Sequence, residues 1–207
     1  MLAGEIMNVG GLSRRIVNLA LAVVGHIRGG LGYVTIIAAC LLAALSGSAM
    51  ADAAALTALL LPMMVAAGHD KSRSAGLIAS AGIIAPIIPP SIGFVVFGVA
   101  ANVSISKLFM AGIVPGLMLG VSLWVTWWWL ARSENSAPPA RKSFAEVMSA
   151  FRQASWALVL PFIIIVGLKM GAFTPTEAAV VAAVYALFVT TVVHRELKLS
   201  QLYKVFV

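Results

Sequence analysis

A chain of 207 residues that is 61% hydrophobic and 10% charged, with a mean hydropathy of +1.03, has far more apolar side chain than a soluble core needs, which points to an integral membrane protein. Its net charge of +7 does not indicate nucleic acid, because Lys and Arg fall in short clusters between apolar runs, where membrane topology places them. A single cysteine, Cys40, inside an apolar run excludes a disulfide framework and a cysteine metal cluster, and reads as a small buried apolar residue.

In chain order, Met1 to Met7 is too short to span and lacks the basic and long apolar regions of a signal peptide. It reads as the end of a helix whose beginning is missing. With GLSRRIVNLALAVVGHIR, an amphipathic helix at the cytoplasmic interface, it makes a first unit over residues 1–28. A second unit, 29–70, holds forty residues from Gly29 to Gly68 whose one charge is Asp52. Both flanks, Arg28 on one side and Lys71 and Arg73 on the other, belong on the cytoplasmic side, so the segment enters and returns. Tyr33 to Leu45 makes only about 20 Å of helix against a hydrocarbon core of about 30 Å. A re-entrant hairpin is expected, with Ser46, Gly47 and Ser48 as its tip and Ala49 to Leu61, before Pro62, as its second arm.

The third unit, 71–131, begins with Ser74 to Ala101, interrupted by Pro86, Pro89 and Pro90, so two half-helices with an unwound joint are expected. Leu108 to Leu130 returns, with Trp124, Trp127, Trp128 and Trp129 before Arg132 as an interfacial aromatic belt; ligand stacking is the alternative. Residues 132–153 read as a cytoplasmic loop carrying a short amphipathic helix. Residues 154–207 hold two spans, Trp156 to Met170 and Pro175 to Val193, and the start of a cytoplasmic helix. This topology puts twelve basic residues inside and two, Lys107 and Lys169, outside. The last residues, SQLYKVFV, stop without a closing feature, and the chain reads as an internal piece of something longer.

Non-helical backbone at mid-membrane depth is tolerated only where protein or a water-filled cavity satisfies it, so the tip points to a site. The carbonyl end of the first arm and the hydroxyls of Ser46 and Ser48 offer oxygen to a small cation. The N-terminus of the second arm, beginning at Ala49, offers free N–H groups to an anion. Asp52, in that arm's first turn, either offsets the helix dipole or acts as a cation ligand or a group that orients the tip. PIIPPSI is a second break. Alone it is a structural kink; paired with the tip it resembles the discontinuous helices of secondary transporters, and Pro89, Pro90 and Ser91 are expected to face Ser46 to Ser48.

TPTE at 174–177 reads as a helix start, with Thr174 as N-cap, Pro175 at the first position and Glu177 completing a capping box. His26, His69 and His194 read as interfacial or solvated and have no metal-binding spacing. There is no Walker loop and no nucleophile elbow. An intramembrane enzyme would have to use Asp52 with Ser46 or Ser48, but no His or Lys base lies at that depth, so no catalytic residue and no enzyme activity are expected.

LAGEIMNVGGLSRRI, GGLGYVTIIAACLLAALSGSAMADAAAL, SAGLIASAGIIAPIIPPSI, SISKLFMAGIVPG and GAFTPTEAAVVAAVYALFV together resemble the large membrane subunit of tripartite ATP-independent periplasmic (TRAP) transporters, most of all that of the 2,3-diketo-L-gulonate type. The resemblance covers essentially the whole chain. It implies an all-α multi-pass protein of the bacterial inner membrane and one half of an inverted-repeat, elevator-type fold of the ion transporter superfamily. It further implies import of an organic acid, a sugar acid or C4-dicarboxylate, driven by Na+ as coupling ion with no other cofactor. The implied partners are a small TRAP membrane subunit and a periplasmic substrate-binding protein. Ser46, Gly47 and Ser48 with Pro89, Pro90 and Ser91 would form the first half of the sodium site, with Ala49 and Asp52 beside the substrate. Family members are about twice as long and carry a second, inverted copy. A single SGS tip and a single PIIPPSI break therefore lead to the expectation of half a site; a non-transporting remnant or assembly-only subunit is the alternative.

Overall fold

A computed structural model describes residues 6–7, 9–133 and 140–196. Most of the opening segment, the centre of the cytoplasmic loop at 134–139 and the expected cytoplasmic helix beyond 196 lie outside the described residues. The described chain is built of helices: α1 Leu12–Val24, α2 Gly30–Ser46, α3 Ala49–Ala66, α4 Lys71–Gly82, α5 Ile92–Ala100, α6 Ile105–Ala131, α7 Phe144–Lys169 and α8 Pro175–Phe188, the last running into a π-helical turn, Val189–Val193. Four of these segments are long and apolar enough to cross a membrane: α3, α6, α7 and Thr176–Val193.

Amphipathic spacing explains α1, which buries Leu12, Ile16, Val17, Leu19 and Ala20 and exposes Arg14 and Asn18. Its buried face packs on α2 and α7. An Arg15–Glu196 ion pair ties its first turn to the end of the π-helical turn, where a Cβ on Gly10 would collide with Thr190.

Helix α2 is apolar on every side and lies at the centre of the fold, touching α1, α3, α4, α6 and α7. Its 17 residues make about 26 Å of helix, longer than the 13-residue run expected but still below the roughly 30 Å hydrocarbon core. Gly47, at φ 59°, ends it, and α3 turns back along it. The Thr35 hydroxyl of α2 meets the Met64 sulfur of α3 at 3.7 Å, fixing the antiparallel order of the arms. In α3 the buried residues are Asp52, Leu56, Leu60 and Met64, one narrow stripe at spacing four. Pro62 was expected to close this arm; instead it lies inside α3, which continues to Ala66. Proline's lost ladder bond is tolerated in apolar helices whose neighbours re-satisfy the backbone.

The broken helix is present as α4 and α5, and its joint opens earlier than the prolines. Helix α4 ends at Gly82, and a series of tight turns carries the chain from Ile83 to Ser91, including a cis Pro89–Pro90 bond. Two glycines at spacing four on α6 seat this joint. A Cβ on Gly112 would collide with Phe94 and the Ile87 carbonyl, and one on Gly116 would lie 2.5 Å from Ile88 Cγ1.

Trp127 departs from the expected aromatic belt. It is 1% exposed, its indole N–H donates to the Gly29 carbonyl at 2.8 Å, and its ring fills the space that a Cβ on Gly32 would need. His69, expected to be interfacial or solvated, is 5% exposed, with its ring centroid 5.5 Å from that of Trp127. Burying an indole around a satisfied N–H binds the start of α2, the α3–α4 link and α6 together at the end opposite the tip. Trp128 and Trp129 are the exposed members of the cluster.

The short helix expected in the 133–152 loop is the beginning of α7, which runs unbroken for 26 residues from a capping box formed by Ser143 and Glu146. Helix α8 starts at the expected capping box, with Thr174 and Glu177 each bonding the other's backbone N–H. Ala154, Ala157, Ala178, Ala182 and Ala186 are all buried, and such small residues let α7 and α8 approach closely. The Tyr185 hydroxyl closes the seam on the Trp156 carbonyl at 2.8 Å.

Candidate functional site: two helix breaks and a buried carboxylate

The hairpin tip is two residues long. Gly47 takes the left-handed conformation and its N–H donates to the Ala43 carbonyl at 3.2 Å. Ser48 is extended and caps α3, its hydroxyl accepting from the Ala51 N–H at 3.4 Å, while its own N–H donates to the Ser46 hydroxyl at 3.1 Å. Two serines two residues apart thus organise the orphan groups of both helix ends.

The second break mirrors this chemistry. Ser91 caps α5, accepting from the Phe94 N–H at 3.4 Å and donating to the Pro86 carbonyl at 2.6 Å. Prolines at 86, 89 and 90 bring no N–H of their own, which leaves carbonyl-rich backbone around the cap.

The two breaks touch. A Cβ on Gly47 would lie 2.7 Å from the Pro90 carbonyl oxygen, 3.2 Å from Ser91 Cα and 3.3 Å from the Ile92 nitrogen. Ala49 joins from the other side, its carbonyl 3.2 Å from the Cβ position of Gly82 at the end of α4. The C-terminal ends of α2 and α4 and the N-terminal ends of α3 and α5 therefore meet around one point. Such a convergence presents carbonyl oxygens to a cation and free N–H groups to an anion within one small volume. Of the expected facing set, the structure puts Gly47 directly on Pro90 and Ser91, with Ser46 and Ser48 flanking it.

Asp52 occupies the first position of the α3 stripe, 4% exposed. Ser46 lines the same small cavity as Asp52, and the Asp52 Oδ2 is buried without a partner among the described residues. That cavity, of about 10 Å³, is bordered also by Leu42, Ser13 and Met7, room for roughly one water. The sequence did not single out Ser13. Its only signal is a hydroxyl on the apolar face of α1, where it is 8% exposed. A buried carboxylate oxygen without a donor is costly, and the cavity beside it has room for a water that could meet it. Among the described residues no cluster of three His, Cys, Asp or Glu side chains could hold a metal ion.

Comparison with known proteins shows the family. The family model for the tripartite ATP-independent periplasmic transporter, DctM component, matches residues 1–207. The chain is 57% identical over 207 residues to the 2,3-diketo-L-gulonate TRAP transporter large permease protein YiaN of Escherichia coli K12, covering all of this chain and 49% of that one. It is 45% identical over 205 residues to the C4-dicarboxylate TRAP transporter large permease protein DctM of Pseudomonas aeruginosa, 99% of this chain and 48% of that one. It is 39% identical over 203 residues to the sialic acid TRAP transporter permease protein SiaT of Haemophilus influenzae, 98% of this chain and 33% of that one. The chain spans half or less of the length of these curated relatives. Full coverage by the family model, together with four helices able to span a membrane, places it among multi-pass inner-membrane transport proteins and not among enzymes. The chain belongs to the family of the DctM component, the large permease subunit of tripartite ATP-independent periplasmic transporters.

Proposed function

We propose that this chain supplies half of the ion and substrate site of a sodium-coupled secondary transporter that imports an organic acid of the sugar-acid or C4-dicarboxylate class. The observation that supports this most is the meeting of the two helix breaks, Gly47 against the Pro90 carbonyl and Ser91, beside a buried Asp52 oxygen without a partner. Carbonyl and hydroxyl oxygens of Ser46, Gly47 and Ser48, with those of Pro89, Pro90 and Ser91, hold Na+. The N-terminal ends of α3, from Ala49, and of α5 hold the substrate carboxylate. Asp52 acts through Ser46, positioning the tip and offsetting the ion's charge.

In this reading each ligand makes the other's binding cheaper, because a bound cation lowers the cost of bringing an anion into an apolar site; that mutual gain is the coupling. Helices α2 to α6 then move as one body in an elevator-type step, with α1, α7 and α8 in the scaffold. A small membrane subunit and a periplasmic binding protein complete the assembly, as the word tripartite in the family's description suggests. The test is uptake of radiolabelled organic acid by the complete permease with both partners in proteoliposomes, with sodium replaced by potassium. Sodium-dependent uptake abolished by Ser46→Ala together with Ser91→Ala supports the reading; uptake unchanged without sodium overturns it.

A further inference from the structure

The outward face of α6 carries a feature that the tip does not use. Leu117, Gly120 and Trp124, with Ile37, Cys40 and Leu41 of α2, line an apolar groove of about 430 Å³, within the size range of small-molecule sites. Its floor is at Gly120, where a Cβ would lie 3.1 Å from the Cys40 sulfur. Tyr33 and Trp124 close its cytoplasmic end, their ring centroids 4.3 Å apart. One and two turns further along the same face come Trp128 and Arg132, the guanidinium lying 3.5 Å over the Trp128 ring.

We infer that this groove binds an anionic phospholipid of the cytoplasmic leaflet, with an acyl chain along Leu117 to Trp124 and its phosphate at Arg132. The length fits: the rise from Leu117 to Arg132 is about 22 Å at 1.5 Å per residue, and half a bilayer from midplane to headgroup is about 20–22 Å. The chemistry fits as well. The groove offers an acyl chain only apolar neighbours, whereas its cytoplasmic end presents a planar guanidinium, suited to phosphate, and an indole at headgroup depth. The leaflet that positive-inside topology assigns to Arg132 is the one that attracts basic residues to anionic lipid. A partner helix is the weaker occupant, because close helix packing favours small residues, and the groove is lined by Leu117, Val121 and Trp124, with its one glycine, Gly120, already facing the Cys40 sulfur.

The experiment uses the complete permease in phosphatidylcholine nanodiscs containing a trace of phosphatidylglycerol or phosphatidylcholine with a diazirine midway along one acyl chain. Crosslinked peptides are located by mass spectrometry. The phosphatidylglycerol probe is expected to label residues 36–41 and 117–124 about fivefold more than the phosphatidylcholine probe, the ratio that about 1 kcal/mol per basic residue gives. Arg132→Gln brings the two probes to parity with the labelled positions unchanged. Val121→Trp fills the groove from a position 63% exposed and removes labelling from α2. Equal labelling by both probes in the wild-type chain, or label spread evenly over the lipid-facing surface, overturns the inference whatever the variants do. Protection of the groove by a partner subunit in the assembled complex also overturns it.

Discussion

Gly47 holds φ at 59° and sits 2.7 Å, measured from the Cβ it lacks, from the Pro90 carbonyl oxygen. Gly47→Ala therefore adds left-handed strain of about 1–2 kcal/mol and pushes the two breaks apart. The expected outcome is a lower thermal midpoint and a severalfold higher sodium concentration for half-maximal uptake by the complete permease; an unchanged sodium response would show that the contact is incidental. Asp52→Asn keeps the side chain's shape and its approach to Ser46 but removes the charge. We expect sodium-driven uptake to fall at least tenfold, about 1.4 kcal/mol or more in the rate-limiting free energy, while expression and subunit assembly persist. Full activity would return Asp52 to a helix-dipole role. His194, just beyond the last span, is held below its ordinary value of 6.5 by burial, then by Arg15, with Glu196 opposing. The folded state resists the proton, so this residue's contribution is present above pH 6.5 and is lost as pH falls through the lowered value. Hydrogen exchange in α1 should accelerate on acidification, and His194→Gln should remove that part of the response. At this scale the tip was legible because Gly and Ser interrupt an apolar run; Ser13 and Trp127 were not, because nothing local distinguishes a hydroxyl or an indole that faces inward from one that faces out.

Helix ends carrying their own punctuation were legible, and helix interiors were not. The Thr174–Glu177 capping box starts α8 where TPTE placed it, and Glu177→Ala should lower the thermal midpoint by removing the group that meets the Thr174 N–H; no change would mean that packing on α7 alone sets this end. Proline was the less dependable signal. Pro62, Pro115 and Pro161 all lie within continuous helices, whereas the α4–α5 joint opens at Ile83, before the first of its prolines. What separates the cases is tertiary: the α4–α5 joint is seated on Gly112 and Gly116, so contacts distant in sequence decide where the ladder breaks. The loop helix and the following span merged into α7 for a related reason. A polar, capped first turn and an apolar body can share one axis, and composition alone divides them.

Over the whole molecule, hydropathy and the placement of basic residues were enough for the membrane class, and family membership follows from a match over residues 1–207. The proposal of transport rests on one geometric fact, that two interrupted helices meet, Gly47 of one against Pro90 and Ser91 of the other. Trp127 braces the opposite end, so the hairpin and α6 are held as a unit and the tip keeps its place against the joint. The most direct measurement is sodium-dependent uptake by the complete permease, assembled with its small subunit and binding protein, in proteoliposomes with an imposed sodium gradient. The account requires organic-acid accumulation that collapses when sodium is replaced by potassium and that falls in the Gly47→Ala and Asp52→Asn proteins. Undiminished accumulation without sodium would contradict it.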